Sequence, residues 1–475
     1  MKHVKKRSNC EIKQIILEET SELHSLGSLE VNYHLNSISL LNGGIMMRKI
    51  RSGQAYLYRD CGIRSTVFDI RMKDKVRGDL LRRALEKAMK RYPYLTSKLV
   101  EKNGDFYIAD NLLSVAFAKT NKFRALGSMA VNYHLVDVTY IDKKICVAFH
   151  HALCDGRGII PFIETLIYYY CCLRYNKTFD ATGIRLAGEP LLPRETMEPF
   201  GDSKYDMGNT PMPEIVRDGY ALPENANELS HYYRYEININ RDKFMAFAKE
   251  NNATPAILVA LLASKSIKKL HPDADKPIVC SMASDMRKEL GLENTHKNCV
   301  GSLYLPYTEA VEKLSINEQA TMYRKSIKEQ KHPDVVKSAA NSQIGLSDKL
   351  DQLKTFAAKK QMLSFFNDFC INTFVISYAG QLQLGECEKC VDSMHLYSSG
   401  TKGLILNMLS AGDYITVDLL QSFESEQFAN EFMQSLAEIG LEYKSSQRIE
   451  FTTTHDKTFV TGGWQAEKYY GNFEN

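Results

Sequence analysis

Residues 145–158 read ICVAFHHALCDGRG, an apolar run that stops at two adjacent histidines and is followed by Asp155-Gly156. Successive side chains of a strand point to opposite faces. If Ile145, Val147 and Phe149 point one way, His151 continues their row, while His150 joins Cys146 and Ala148 on the other. The two histidines therefore cannot share one task. A neutral imidazole at a strand end is a natural general base, because its ordinary pKa lies near working pH. Asp155 follows four residues on, in a turn that Asp-Gly favours, and can accept a hydrogen bond or pair with an arginine. Gly156 and Gly158 allow close backbone approach or positive φ before a helix begins. A histidine with an aspartate four residues later is common by itself, and ordinary strand-end histidines beside a plain turn are the alternative. The full seven-residue pattern should arise by chance in roughly one chain in a thousand.

Outward from this stretch the chain alternates strands and helices, which argues for an α/β architecture. The segment 54–72 reads as extended chain. Residues 79–95 read as a helix with Leu80, Leu81, Ala84, Leu85, Ala88 and Met89 on one face and Pro93 beyond its end. KNGDFYIA is a hairpin signal around Asn103-Gly104, and VNYHLVDVTYIDKKICVAFHH offers two strands joined near Asp142. Residues 158–175 read as an apolar helix. Six prolines between 190 and 223 break the pattern and mark 183–229 as a crossover between two halves. In the second half, HYYRYEININ, PIVCSMASDMR, NTFVISYAG and the hairpin GLILNMLSAGDYITVDLL read as strands. Thr254 caps a helix over 254–270 with Pro255 at its first position, and a last helix covers roughly 424–440.

At 475 residues and 44% hydrophobic, the chain can bury a large core and is expected to form two domains. Sixty basic residues against fifty-seven acidic leave a net charge of +3, too balanced for a nucleic-acid groove or a polybasic membrane anchor. No stretch approaches the roughly 20 apolar residues of a membrane span, and the basic start MKHVKKRSNCEIKQ lacks a signal peptide's apolar core. Several of the eleven cysteines sit inside apolar runs, as expected of reduced thiols in a cytoplasmic protein. Cys387 and Cys390 form a lone C-x-x-C without further ligands, so no metal is expected there. GSLEVNYHL at 27–35 recurs as GSMAVNYHL at 127–135, with seven of nine positions identical, but the flanks do not match and no repeat architecture follows. Residues 1–50 are read as an N-terminal extension and 446–475 as a polar tail.

FHHALCDGRG resembles the active-site motif of the chloramphenicol acetyltransferase-like superfamily, which includes condensation domains, plant BAHD acyltransferases, alcohol acetyltransferases and polyketide-associated acyltransferases. LRRALEKAMKRYPYLTSKLVEKNGDFYI looks like the family's first helix and hairpin, SDMRKELGLENTHKNCVGS like its second-half arginine and asparagine segment, and NTFVISYAGQL like its late strand. The resemblance covers about residues 54–440. It implies an α/β (α+β) fold of two similar lobes, each a mixed sheet flanked by helices, with a channel between them. These lobes fall on 51–182 and 230–445. The motif's place at residue 151 of 475 resembles the monomeric two-domain form rather than the trimeric single-domain one.

Carried over by motif, the catalytic base is His151. His150 and Gly156 support the site, and Asp155 matches a family aspartate that pairs an arginine, for which Arg287 is the candidate. The implied reaction is acyl transfer from a thioester to a hydroxyl or amine of a small acceptor, with no acyl-enzyme and no bound cofactor. Candidate oxyanion or substrate contacts are the Gly156 N–H and the hydroxyls of Ser377 and Tyr378. The single tryptophan, Trp464, lies in the tail, and the plant-type Asp-Phe-Gly-Trp-Gly segment is missing, which favours a bacterial-type alcohol or amine acyltransferase. The co-substrate expected is acyl-CoA. The competing readings are a condensation-type enzyme fed by acyl-phosphopantetheine on a separate carrier protein, and a non-catalytic binding protein of the same fold.

Overall fold

The computed structural model describes residues 47–58, 65–102, 104–201, 203–227, 231–367, 372–399 and 403–452. The first copy of the repeated nonapeptide, Trp464, most of the N-terminal extension and the tail from 453 lie outside the described residues. Residues up to Arg48 form one unit and those from Lys49 onward another; the second carries everything below.

The alternating apolar run becomes a strand within a five-stranded sheet. Its members are β1 (Ser65–Met72), β4 (Ala116–Lys119), β5 (Val136–Ile141), β6 (Lys144–His150) and, from far along the chain, β11 (Val391–Ser398), in the order β11-β1-β6-β5-β4. All neighbours are antiparallel except β4 and β5. Ile145, Val147 and Phe149 face the main core, whereas Ala148 packs with Val67 and Leu126 on the other side. Over the core face lie α1 (Gly78–Met89), which buries Leu81, Ala84, Leu85 and Ala88, and α2 (Gly156–Tyr175), buried on most of its circumference. The hairpin β2 (Ser97–Lys102) and β3 (Asp105–Asp110) adds Leu99, Phe106 and Ile108 to the same core.

The segment 54–72 is not extended throughout. Gly53 takes φ +77°, and Ala55–Tyr58 forms one helical turn before β1 begins. The crossover carries only two short 3-10 turns among its described residues, yet it is anchored firmly. Glu195, fully buried, receives both Nη atoms of Arg91 at 3.0 and 2.6 Å.

The second sheet has eight strands. β9 (Val300–Tyr307), β8 (Ile278–Asp285), β10 (Phe374–Gln381), β12 (Leu404–Ala411), β13 (Tyr414–Gln421), β7 (His231–Asn240) and β14 (Tyr443–Ser445) lie in that order, and β15 (Ile449–Thr452) also pairs β7. β10 runs parallel to β8 and β12, so the sheet is mixed. Against it pack α3 (Arg241–Glu250), α4 (Pro255–Leu270) and α8 (Gln427–Glu438). Thr254 caps α4 by accepting the Ile257 N–H, with Pro255 at the first position. Three further helices, α5 (Ile316–Gln330), α6 (Pro333–Gln352) and α7 (Phe356–Asn367), fill a stretch for which the sequence reading made no assignment.

Where β11 passes between the sheets, a buried ionic layer forms. Arg234 donates to Asp418 at 2.9 Å and reaches Glu236 at 2.8 Å, Arg71 reaches Glu236 at 2.6 Å, and Lys144 reaches Asp69 at 2.8 Å. Three carboxylates thus meet three cations. Such a layer mainly fixes register, because desolvation offsets much of its Coulomb gain.

Candidate active site

The chain turns sharply after β6, and this turn separates the two histidines. His150 is fully buried. Its Nδ1 accepts the Ala152 N–H at 3.0 Å, its carbonyl accepts the Leu153 N–H at 2.9 Å, and its own N–H donates to Leu135 at 2.9 Å. His151 follows the Phe149 side instead, with ring centroids 5.6 Å apart. On its other side the Tyr56 ring stacks at 4.7 Å and 17°. Gly53 makes this possible: a Cβ there would stand 2.6 Å from the His151 carbonyl oxygen, and its φ is left-handed.

Enclosure decides the charge of the His151 ring. Burial pushes its pKa down to about 4, while the Asp155 charge pulls weakly the other way. The imidazole is therefore neutral at pH 7, although one edge of the residue keeps partial exposure. The Asn298 side-chain nitrogen lies 3.4 Å from both His151 Nδ1 and the His151 carbonyl oxygen.

Asp155 does not touch the imidazole. It caps α2, its Oδ1 accepting the Gly158 N–H at 2.7 Å. The same oxygen accepts from Arg287 Nη2 at 2.7 Å, and Oδ2 accepts the Cys299 N–H at 2.8 Å. Arg287, one of the largest fully buried side chains, also donates to Asp285 at 2.9 Å and to the carbonyls of Thr295 and Lys297 at 2.8 Å. Burial opposes its charge, but Asp155 and Asp285 outweigh that and hold the guanidinium pKa above its ordinary value. One ion pair thus clamps the start of α2 in the first half to the β8–β9 connection in the second.

The two glycines of the motif differ in what they permit. A Cβ on Gly158 would stand 2.0 Å from the His296 carbonyl oxygen, so the close approach of that backbone requires glycine there. A Cβ on Gly156 would meet nothing within 4 Å. His296 is itself held by the crossover, its N–H donating to Glu195 at 2.9 Å. The Cys154 and Cys299 thiols beside the clamp are pushed up by burial, so neither is a thiolate.

The structure therefore brings His150, His151, Asp155, Gly156 and Arg287 into one place. Ser377 and Tyr378 sit half-buried on β10. Among the described residues, no hydrogen bond or ring contact joins either to His151, Asp155 or Gly156. Tyr56 and Asn298 are the residues the sequence reading did not single out. Tyr56 lies 95 positions before His151 (151 − 56) in a stretch without apolar periodicity, and no local signal marks it. Asn298 falls inside the segment matched to the family's arginine and asparagine region, one of two asparagines there.

Among the described residues, one group could hold a metal ion: Glu236, His395 and Asp418 in the buried ionic layer. Arg234 and Arg71 already neutralise both carboxylates, and His395 Nδ1 already faces Asp418 at 3.2 Å, which leaves little for a cation to gain. Among the described residues no helix is long and apolar enough to cross a membrane.

No protein-family model matches the chain, and a search of curated proteins finds no match. Solved structures do match. Polyketide synthase associated protein 5 from Mycobacterium tuberculosis superposes with a TM-score of 0.56 at 13% identity, over 83% of this chain and 99% of that one. TRI3 trichothecene 15-O-acetyltransferase from Fusarium sporotrichioides gives 0.53 at 12% identity, over 84% and 95%. F. sporotrichioides TRI101 complexed with coenzyme A and T-2 gives 0.52 at 11% identity, over 84% and 99%. The chain therefore shares the mixed α/β fold of these solved structures.

Proposed function

We propose that this protein transfers an acyl group from a CoA thioester to a hydroxyl or amine of a small acceptor, with His151 as general base. The observation that carries the reading is the His151 imidazole: enclosed, neutral at working pH, stacked on Tyr56, and separate from an Asp155 carboxylate committed to Arg287. A carboxylate spent on bracing leaves the imidazole as the proton acceptor.

In this scheme the His151 imidazole takes the proton of the acceptor as its oxygen or nitrogen attacks the thioester carbonyl. The Asn298 amide nitrogen, 3.4 Å from both Nδ1 and the carbonyl oxygen of His151, helps to hold the residue in place. The tetrahedral oxyanion meets the Gly156 N–H in the first turn of α2, and one such donor contributes about 3 kcal/mol. The hydroxyls of Ser377 and Tyr378 serve the bound substrate from β10. Collapse expels the thiolate, which takes the proton back from His151. No cysteine takes part. A neighbour of this fold was crystallised with coenzyme A, which supports CoA as the donor's carrier.

The test is product mass spectrometry of purified protein with a mixed acyl-CoA and acceptor pool. Acylated product should form, and His151→Ala should lower its rate by at least about 100-fold, the low end for a lost general base. Product formation unaffected by that substitution would overturn the assignment.

A further inference from the structure

Tyr56, whose ring covers the His151 imidazole, belongs to a single helical turn, too short to hold its own geometry. Its place must therefore be set from outside. The crossover supplies one set of anchors. The Ser52 N–H donates to Glu198 Oε1 at 2.9 Å, and Arg51 donates to the carbonyls of Phe200 and Gly201 at 2.9 and 3.4 Å. The other anchor is Asp351, in the last turn of α6. Its Oδ1 accepts the side-chain nitrogen of buried Gln54 at 3.1 Å and meets Lys49 Nζ at 3.0 Å, while Oδ2 meets Arg51 Nη1 at 3.2 Å. The helix dipole disfavours a carboxylate at a helix C-terminus, so Asp351 does nothing for α6 itself. Its three partners all lie in residues 49–54. Asp348, three positions earlier on α6, also pairs Arg51, at 2.6 Å, but 49% of its side chain is exposed against 21% for Asp351. An ion pair so exposed holds little.

We propose that Asp351 is a positioning residue for His151: from the end of α6 it holds the turn 51–56 where the Tyr56 ring closes over the imidazole. The turn is stopped on both sides. Gly53 lies under the His151 carbonyl with no room for a Cβ, so the turn cannot come closer. The bonds from Gln54 and Arg51 to Asp351 keep it from moving away. The groups facing the ring are Tyr56 from the turn, Phe149 from β6 and Asn298 from the β8–β9 connection, with the charge of Asp155 acting on it from the start of α2. Releasing the turn admits water to the face that Tyr56 covers, and a wetter imidazole is easier to protonate. Losing the Asp351 charge by itself acts the other way, because an anion favours the imidazolium. The direction of a change thus separates an opened cover from a bare charge effect. The inference rests on the acyl-transfer reading only for its effect on rate; the state of the ring is measurable without any reaction.

The experiment is NMR of the full-length protein isotope-labelled at histidine Cε1, with the His151 signal assigned by its disappearance in His151→Gln. In the parent this signal should be displaced upfield by the Tyr56 ring and should not titrate in the ordinary histidine range. Tyr56→Leu defines the uncovered state. Asp351→Ala should move the signal most of the way to that state and raise its titration toward the ordinary range, while Asp348→Ala leaves both unchanged. Should Asp351→Ala impair folding, Gln54→Leu decides in its place: it removes one bond between the turn and Asp351 at similar volume, and the signal should move in the same direction. A parent without acyl-transfer activity would count against that reading and leave this measurement intact. A His151 signal that stays in place, titrates only at lower pH, or is displaced equally by Asp348→Ala would overturn the proposal.

Discussion

Asp155→Asn separates the clamp from the chemistry. Asparagine is as good a helix cap as aspartate, so the Gly158 N–H keeps its acceptor and α2 keeps its start. The remaining oxygen can also stay on Arg287 Nη2. The amide nitrogen must then face the Cys299 N–H, donor against donor, where Oδ2 now accepts at 2.8 Å. A buried donor left unsatisfied costs about 1–3 kcal/mol. Arg287 also loses the charge of its nearest partner and keeps only Asp285, whose side chain is 41% exposed. Breaking a buried pair costs about 3–5 kcal/mol, and the surviving hydrogen bonds place this case near 4. For a cooperative unit of roughly 400 residues that lowers Tm by about 5 °C. The assay is thermal unfolding at pH 7, paired with the acyl-transfer rate as a function of pH. A positioning role predicts a lower Tm and a lower rate, with the acid limb moving at most slightly to lower pH because the Asp155 charge that raises the His151 pKa is lost. A Tm within about 1 °C of the parent would refute the clamp.

Three further substitutions test neighbouring claims. Burial holds the folded His151 pKa down to about 4, against about 6.5 in the unfolded chain. Between those values the unfolded chain holds a proton that the folded chain does not, so stability is lost as pH falls. From pH 7 to pH 5 this residue alone should remove about 2 kcal/mol. His151→Gln should lose that much less over the same interval in urea titrations; an unchanged loss would contradict the enclosed imidazole. Gly158→Ala should cost about 1–3 kcal/mol, since its methyl must displace the backbone of residue 296, whereas Gly156→Ala should leave Tm unchanged or slightly higher. Equal effects of the two in calorimetry would refute that contrast.

The motif strand, the helix after it and the split between the histidines were legible because they rest on local alternation and on residues close in sequence. The Asp155–Arg287 pairing was reachable only through resemblance, since 132 positions separate the partners. The stacking of Tyr56 on His151 was not legible at all: it depends on a left-handed Gly53 fitting under the His151 carbonyl, a steric fact of the assembled fold. The three helices of 316–367 were missed for a different reason. Ser315 and Glu318 form a capping box, a signal readable in the sequence, but the exposed faces of α5 and α6 dilute their apolar periodicity. The lent strand β11 was unreadable because pairing across halves leaves no trace in local spacing.

That lent strand has a consequence for synthesis. The sheet whose β6 ends at His150 lacks one edge until Ser398 is made, about 250 residues later. At roughly 5–20 residues per second, β1 waits on the order of 12–50 s with an open row of backbone donors and acceptors while the remainder is translated. Exposed edges of this kind recruit other strands. The nascent chain therefore passes through a window in which a ribosome-bound first half is complete in sequence but unfinished in structure, and premature termination anywhere before β11 yields a sticky fragment rather than a working lobe.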